Sequence, residues 1–338
     1  MTATHDAVAS REVRLASRPA GEPTDANFAL ATAHVGPPGD GEVLVRNTMM
    51  SVEPYMRGRM NDAKSYVPPF VVGEPLQGSA IGTVVASRSA DVPEGATVQH
   101  MLGWREYAVL PAAHVRVLDV ARAPAELYFG ALGNTGFTAW VGLHEIARIK
   151  EGETLFVSAA AGGVGSMAVQ LAKRAGLRVI GSASSPQKAA FVREELGADA
   201  AFDYHEGITK QLRTAAPDGI DVYFDNVGGE HLEAAIFATR NHARIVLCGA
   251  VSQYNAAEMP PGPRNLGIAI GRRLRLEGFI VIDHMAKMRD FIAEVAPLVA
   301  GGEIKAPTTF VDGLENAPHA LLDLLRPNAN LGKVVVRL

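Results

Sequence analysis

The stretch that most limits what this chain can become runs from Glu153 to Lys188. It opens with a short apolar, β-branched run, Thr154 to Ser158, as expected of a strand buried in a parallel sheet. A glycine cluster follows at Gly162, Gly163 and Gly165. A helical pattern then starts at Val164 and puts Met167, Leu171 and Ala175 on one face. Arg178 to Ser182 reads as a second strand, so the unit is strand, glycine turn, helix, strand. A helix N-terminus leaves backbone N–H groups unpaired and carries partial positive charge, and glycine lets a pyrophosphate approach that backbone closely. The motif is Ala160-x-Gly162-x-x-Gly165, with alanine at the first glycine position. Alanine fits there if that residue need not take a positive φ. A turn that only packs helix on strand would also use glycine, but the complete unit around it points to a dinucleotide.

An NAD site wants an acid about 20 residues on, at the end of the second strand, to hold the ribose hydroxyls. The sequence there is Ile180-Gly181-Ser182-Ala183, without an acid, and Lys188 follows. A lysine attracts a 2′-phosphate that an acid would repel. The expected coenzyme is therefore NADP(H). Taken alone, Lys188 also fits an ordinary solvated lysine in a first helical turn after Pro186.

The remaining chain is consistent with this. Its 338 residues suit two domains, and 48% hydrophobic with 20% charged residues fits a globular protein. A net charge of −4 gives no support for nucleic acid or an anionic membrane as partner. One cysteine, Cys248, excludes an intrachain disulfide. Met1 to Pro19 is interrupted by charges and does not read as a signal peptide, and no apolar stretch has the length of a membrane span. A cytoplasmic protein is expected.

Up to about Leu132 the texture is β-rich, with strand candidates at Glu42–Asn47, Ile81–Ala86, Thr97–Leu102 and Tyr107–Leu110 between glycine and proline turns. From Gly133 helix and strand signals alternate. Helices are expected at Asn134–Ile149, Pro186–Leu196, Ile208–Ala215, Glu230–Thr239 and from about Met285 to Ala300. Strands are expected at Ala200–Tyr204, Asp221–Asn226, Ala243–Gly249 and Leu274–Ile282. The fold class is α/β: a doubly wound parallel, Rossmann-type cofactor domain at 133–309, and an irregular, partly closed β-barrel-like substrate domain at 1–132 with about 310–338. The tail Lys333–Leu338 is a strand that can return to the first domain. Ligands of such sheets sit beyond the carboxyl ends of the strands.

Zinc ligation needs cysteine, histidine or carboxylate clusters, yet residues 1–247 hold no cysteine and His34, His100 and His114 are scattered. No zinc or other metal is expected. Without a metal, hydride transfer needs a hydrogen-bond donor for the developing oxyanion. Tyr55, Tyr66, Tyr107 and Tyr254 are candidates. Tyr254 follows the carboxyl end of a strand, where it is either such a donor or a tyrosine anchoring a proline-rich loop.

Several separate segments carry a family resemblance. They are Glu53-Pro54-Tyr55-Met56-Arg57-Gly58-Arg59-Met60, Gly136-Phe137-Thr138-Ala139-Trp140, Ala159 to Ser166, Asp221 to Gly229, Cys248 to Asn255, Glu277 to Val281 and Asn330-Leu331-Gly332-Lys333. In them the chain resembles the zinc-independent medium-chain dehydrogenase/reductases, in the branch of NADPH-dependent alkenal, leukotriene/prostaglandin and curcumin double-bond reductases. The resemblance implies that Gly162, Gly163, Val164 and Gly165 hold the pyrophosphate and that Lys188 and Tyr204 meet the 2′-phosphate. It places Thr138 near the nicotinamide. Asn226, Cys248, Gly249, Ala250, Val251, Ser252, Gln253, Tyr254, Phe279, Ile280, Val281 and Asn330 line the remaining coenzyme. Tyr55, Tyr66, Trp104 and Tyr254 line the substrate cleft, with Tyr254 as the catalytic donor. Glu53 stands where the family usually has aspartate, and Gly271 lies near where mammalian prostaglandin reductases have tyrosine, which argues against a specific prostaglandin activity.

The function expected is NADPH-dependent reduction of the C=C bond of α,β-unsaturated ketones or aldehydes, with hydride going to the β-carbon. The alternatives are a quinone reductase and a non-catalytic NADPH-binding protein. A homodimer is implied by the resemblance alone.

Overall fold

The computed structural model describes residues 7–258, 260–326 and 330–338. Residues 1–6, Met259 of the proline-rich loop and 327–329 of the segment before the tail lie outside the described residues. The chain forms two compact units: one from Met1–Glu126, Thr309–Arg326 and Val334–Leu338, the other from Leu127–Thr308 and Pro327–Lys333.

The second unit is built on six parallel strands: β1 (Thr154–Val157), β2 (Arg178–Ala183), β3 (Ala200–Asp203), β4 (Ile220–Asp225), β5 (Thr239–Leu247) and β6 (Arg275–Gly278). Their order is β3-β2-β1-β4-β5-β6, and every neighbouring pair is parallel. This is the doubly wound arrangement, whose order reverses between β1 and β4. The four residues of β1 are all buried, which is why the run reads as unbroken apolar rather than alternating. Between β1 and β2 runs the helix Gly163–Arg174, whose apolar side includes Met167 and Leu171, 2% and 3% exposed. The aromatic rings of Phe156, Phe202 and Tyr223 stack across the sheet's core.

Three elements depart from the sequence expectation. The helix at Asn134 is α-helical only to Val141 and continues as π-helical turns over Gly142–Ala147. It widens where Gly142 meets two rings: a Cβ there would lie 2.5 Å from Phe224 and 3.3 Å from Phe279. β6 stops at Gly278, and Val281–Lys287 forms 3₁₀ turns before the helix Met288–Ala300. β5 begins at Thr239, earlier than its apolar run, because Arg240 is held by Asp218 and Asp221.

The first unit centres on the strand Glu42–Ser51. One edge pairs with Ala80–Ser87; the other pairs with Tyr107–Pro111 and then with Lys333–Arg337, all antiparallel. Thr97–His100, Arg116–Val117 and Thr308–Asp312 complete a seven-stranded sheet, and Val8–Leu15 with Phe28–Val35 forms a separate hairpin. The tail strand thus returns to this unit. Its core gathers Met50, Met56, Met60, Leu76, Trp104 and Leu321, all fully buried.

Candidate functional site

The site of the second unit lies where the parallel strands end. β1 runs into Ser158 and the glycine turn. Gly162 caps the following helix without a side-chain bond, so no side chain competes for the first-turn N–H groups of Gly163, Val164 and Gly165. Ala160, at the first motif position, has no positive φ; the left-handed residue is Ala159, at +49°. The methyl of Ala160 is accommodated from the next strand, since a Cβ at Gly181 of β2 would come within 2.8 Å of it. Gly165 is required for close packing: a Cβ there would stand 2.2 Å from the carbonyl oxygen of Ala159. The segment 330–333 runs beside the turn, with the Gly332 N–H donating to the Ala161 carbonyl at 2.8 Å.

β4 ends in a buried carboxylate. Asp225 is 1% exposed, and its Oδ1 accepts from the N–H groups of Val227 (2.9 Å) and Gly228 (2.8 Å) and from the Tyr223 hydroxyl (2.7 Å). Burial pushes this carboxyl up while those bonds pull it down, and burial prevails. The Ser158 hydroxyl accepts from the Asn226 N–H at 2.9 Å, and Asn226 Nδ2 donates to the Ser158 carbonyl at 2.8 Å. The ends of β1 and β4 are thereby tied at the point where the strand order reverses. The sequence reading named Asn226 but missed the carboxylate behind it. Its signal was an acid closing an apolar strand just before Gly228 and Gly229, as in an Asx turn.

β5 leads into Cys248, Gly249 and Ala250, then a 3₁₀ turn over Val251–Gln253, and Tyr254. The Ala250 N–H donates to the Tyr254 hydroxyl oxygen at 3.4 Å. The oxygen is an acceptor in that bond, so the phenol proton stays available for another partner. Burial pushes the Tyr254 phenol up, which keeps it protonated at neutral pH. Burial also pushes the Cys248 thiol up to about 12, with Asp225 adding to the effect. After β6, Phe279, Ile280 and Val281 are half-buried. Thr138 donates to the Asn134 carbonyl at 2.7 Å within its own helix.

At the other end of the rim, Lys188 lies in the first turn of the helix Pro186–Glu194, capped by Ser185. It is half-buried, and burial lowers its ammonium from the usual lysine range. Tyr204 follows β3, also half-buried, with its phenol pushed up by burial and then by Asp203.

The coenzyme residues expected from the sequence are thus carried on one edge of the second unit. Tyr55, Tyr66 and Trp104 belong to the first unit. Tyr55 opens the short helix Tyr55–Arg59 and is half-buried; burial pushes its phenol up, Glu53 adds to this and Arg59 opposes it. Tyr66 is 56% exposed. Trp104 is fully buried and stacks on Phe28 at 6.3 Å, so it serves this unit's core rather than presenting a face to a ligand. His100 is a core histidine too. Its Nδ1 accepts from the Leu102 N–H at 3.1 Å, so Nε2 carries the proton and donates to Asn47 at 2.9 Å. Burial lowers its pKa to about 4.

A doubly wound sheet with a glycine turn at its first crossover, and a second strand that ends without an acid, define a dinucleotide-binding unit. Residues 11–118 match the family model described as the N-terminal domain of oxidoreductase, and 163–297 match the one described as zinc-binding dehydrogenase. The NADPH-dependent curcumin reductase of Escherichia coli is 41% identical over 96% of this chain and 95% of its own length. The 2-alkenal reductase (NADP(+)-dependent) of Nicotiana tabacum is 37% identical over 97% of both. The crystal structure of CurA from Vibrio vulnificus in complex with NADPH is similar with a TM-score of 0.91 at 40% identity, covering 97% of this chain and 98% of that one. The chain belongs to the medium-chain dehydrogenase/reductases, in their branch of NADPH-dependent double-bond reductases.

Proposed function

We propose that this protein is an NADPH-dependent reductase of the C=C bond of α,β-unsaturated ketones or aldehydes that works without a metal. The rim of the second unit carries the reading: an uncapped glycine turn for the pyrophosphate, and half-buried Lys188 and Tyr204 for the 2′-phosphate. The substrate class follows the names of the curcumin and alkenal reductases. The residues fit the coenzyme: Gly162 leaves the helix N-terminus free of a side-chain cap, and β2 itself ends without an acid.

Bound NADPH would supply the hydride for the β-carbon, and a proton from solvent or a relay would complete the reduction at the α-carbon. The chain's task is to hold the groups and manage charge. Negative charge develops on the substrate oxygen, and the protonated Tyr254 phenol donates a hydrogen bond to it, an interaction that strengthens toward the transition state. Asn226, Cys248 to Gln253, Phe279 to Val281, Asn330 and Thr138 line the coenzyme; Tyr55 and Tyr66 line the substrate side. The first unit is the substrate domain and the second the NADP-binding domain.

Metal independence is supported by the ligand supply, a single cysteine with His100 committed to Asn47. A cytoplasmic homodimer completes the reading. β6 closes one side of the sheet, and apolar residues near it, Ile270 (82%) and Ile282 (59%), are exposed. A panel of alkenals, aryl enones, quinones and simple alcohols, run with NADPH and NADH in parallel and with exhaustive chelation, tests the reading. Turnover of enones or enals with NADPH after chelation is expected. Turnover of quinones alone, or tight NADPH binding without turnover, would replace it.

A further inference from the structure

Tyr204 packs against two histidines. His205 lies against one side of its ring, with centroids 4.2 Å apart and planes inclined by 34°. His231 meets the ring at 4.8 Å and 72°, an edge-to-face arrangement. The outer histidine is anchored, its Nδ1 2.8 Å from Asp203 Oδ1 and its N–H bonded to the same oxygen at 3.0 Å. That contact also ties up Asp203, an acid that would repel a phosphate at this corner. The inner histidine stands in the first turn of the helix Gly229–Ala238, its N–H donating to the Gly228 carbonyl at 3.1 Å.

His231 is an unusual choice for packing alone. It is 5% exposed, and its Nε2 is buried without a hydrogen-bond partner among the described residues. Burial, and then His205, lowers its pKa to about 4, so it is neutral at physiological pH. A buried nitrogen without a partner costs stability, and an apolar side chain of similar volume would avoid that cost. What an aliphatic side chain would not supply is the ring-to-ring geometry against Tyr204.

We propose that His231 is a positioning residue for coenzyme selection: with His205 it forms an aromatic bracket that fixes the Tyr204 phenol for the 2′-phosphate. This rests on the reading of Lys188 and Tyr204 as the 2′-phosphate site. His205 belongs to the same 3₁₀ turn as Tyr204, whereas His231 comes from the helix beyond β4, so His231 is the contact that sets Tyr204 relative to the sheet rather than to its own loop. Preorganising one donor raises affinity for the group it meets and leaves the remaining nucleotide untouched.

Calorimetric titration of the full chain with 2′,5′-ADP and with 5′-ADP tests this, alongside a thermal melt without ligand. His231→Leu is expected to weaken 2′,5′-ADP about 3- to 10-fold and to leave 5′-ADP within about twofold, because only the ring pair is lost. His231→Phe keeps a ring edge and should retain most of the discrimination. His205→Ala, an exposed change with little consequence for folding, should weaken 2′,5′-ADP about 2- to 5-fold by removing the other jaw. A folded His231→Leu protein with wild-type discrimination overturns the bracket. Should His231→Leu fail to fold, unchanged discrimination in His205→Ala overturns it instead. A wild type that binds both nucleotides equally removes the phosphate-site reading, and the bracket with it.

Discussion

In the second unit the carboxylate of Asp225 is buried, and it accepts from the N–H groups of Val227 and Gly228, a few residues along the chain, and from the Tyr223 and Ser158 hydroxyls. In the first unit two arginines are buried, alongside Glu12. Arg57, 2% exposed, donates to the Gly21 carbonyl at 2.5 Å and to Asn61 at 2.7 Å. Arg59 donates to the Pro68 carbonyl at 2.9 Å and lies 4.1 Å above the Phe70 ring. Burial lowers both guanidiniums from their usual range. The carboxylate tightens a turn next to itself. The arginines instead pin loops that lie 9 to 36 positions away in sequence. The carboxylate thus fastens a turn at a strand end, and the arginines fasten distant loops.

The largest effect should come from a side chain on the coenzyme rim. Tyr254→Phe keeps the ring and removes only the donor. kcat on an enone should fall about 10- to 1000-fold, with a smaller change in NADPH affinity. Single-turnover mixing shows whether hydride transfer limits the rate. Wild-type kcat under that condition would mean the rim acts through backbone alone, with Tyr55 and Tyr66 as the next donors to change.

Arg57→Ala tests the other half of the comparison. It leaves the Gly21 carbonyl without its donor and empties a fully packed position, for a loss of about 1–3 kcal/mol of stability. Chemical denaturation reads this directly. A loss below about 0.5 kcal/mol would show that the loop holds its course without the cation.

Lys188→Ala should act on one coenzyme. Loss of a partly buried ammonium facing a phosphate should raise the NADPH Michaelis constant about 5- to 30-fold and leave NADH nearly unchanged. Equal use of both coenzymes by the wild type would contradict it.

The same contrast explains which parts of the molecule the sequence announces. In the coenzyme unit the cues are local. Apolar four- to six-residue runs mark β1 to β4, Gly162 and Gly165 mark the turn, and Ser185-Pro186 starts a helix, because each depends on neighbours in the chain. The hairpin of Val8–Leu15 and Phe28–Val35 gave no such cue, since most of Phe28–Val35 is half-exposed and reads as mixed polar and apolar. The family resemblance placed Trp104 in a cleft. Its burial comes from Phe28, 76 positions earlier, a contact that no local pattern carries. His231 was passed over because a histidine on a helix is unremarkable until Tyr204 stands beside it.

The smallest expected effect concerns Cys248, and it sharpens the comparison from the side of chemistry. An enzyme of electrophilic enones carries its single thiol on the rim where the coenzyme is expected. That thiol is pushed up to about 12 by burial and then by Asp225. At pH 8 the folded thiol carries far less thiolate than a free cysteine of pKa about 8.5. The folded protein should therefore react slowly with thiol reagents and quickly once unfolded. The sign for stability follows from the raised value. The unfolded thiol releases its proton first, so this group's contribution is fully present below about pH 8.5 and is lost as pH rises toward 12. Cys248→Ala should flatten that alkaline slope in denaturation curves taken between about pH 8.5 and 11. Rapid alkylation of the folded enzyme at pH 7, with loss of activity, would show that the rim offers a reactive side chain after all and is not built from backbone and Tyr254 alone.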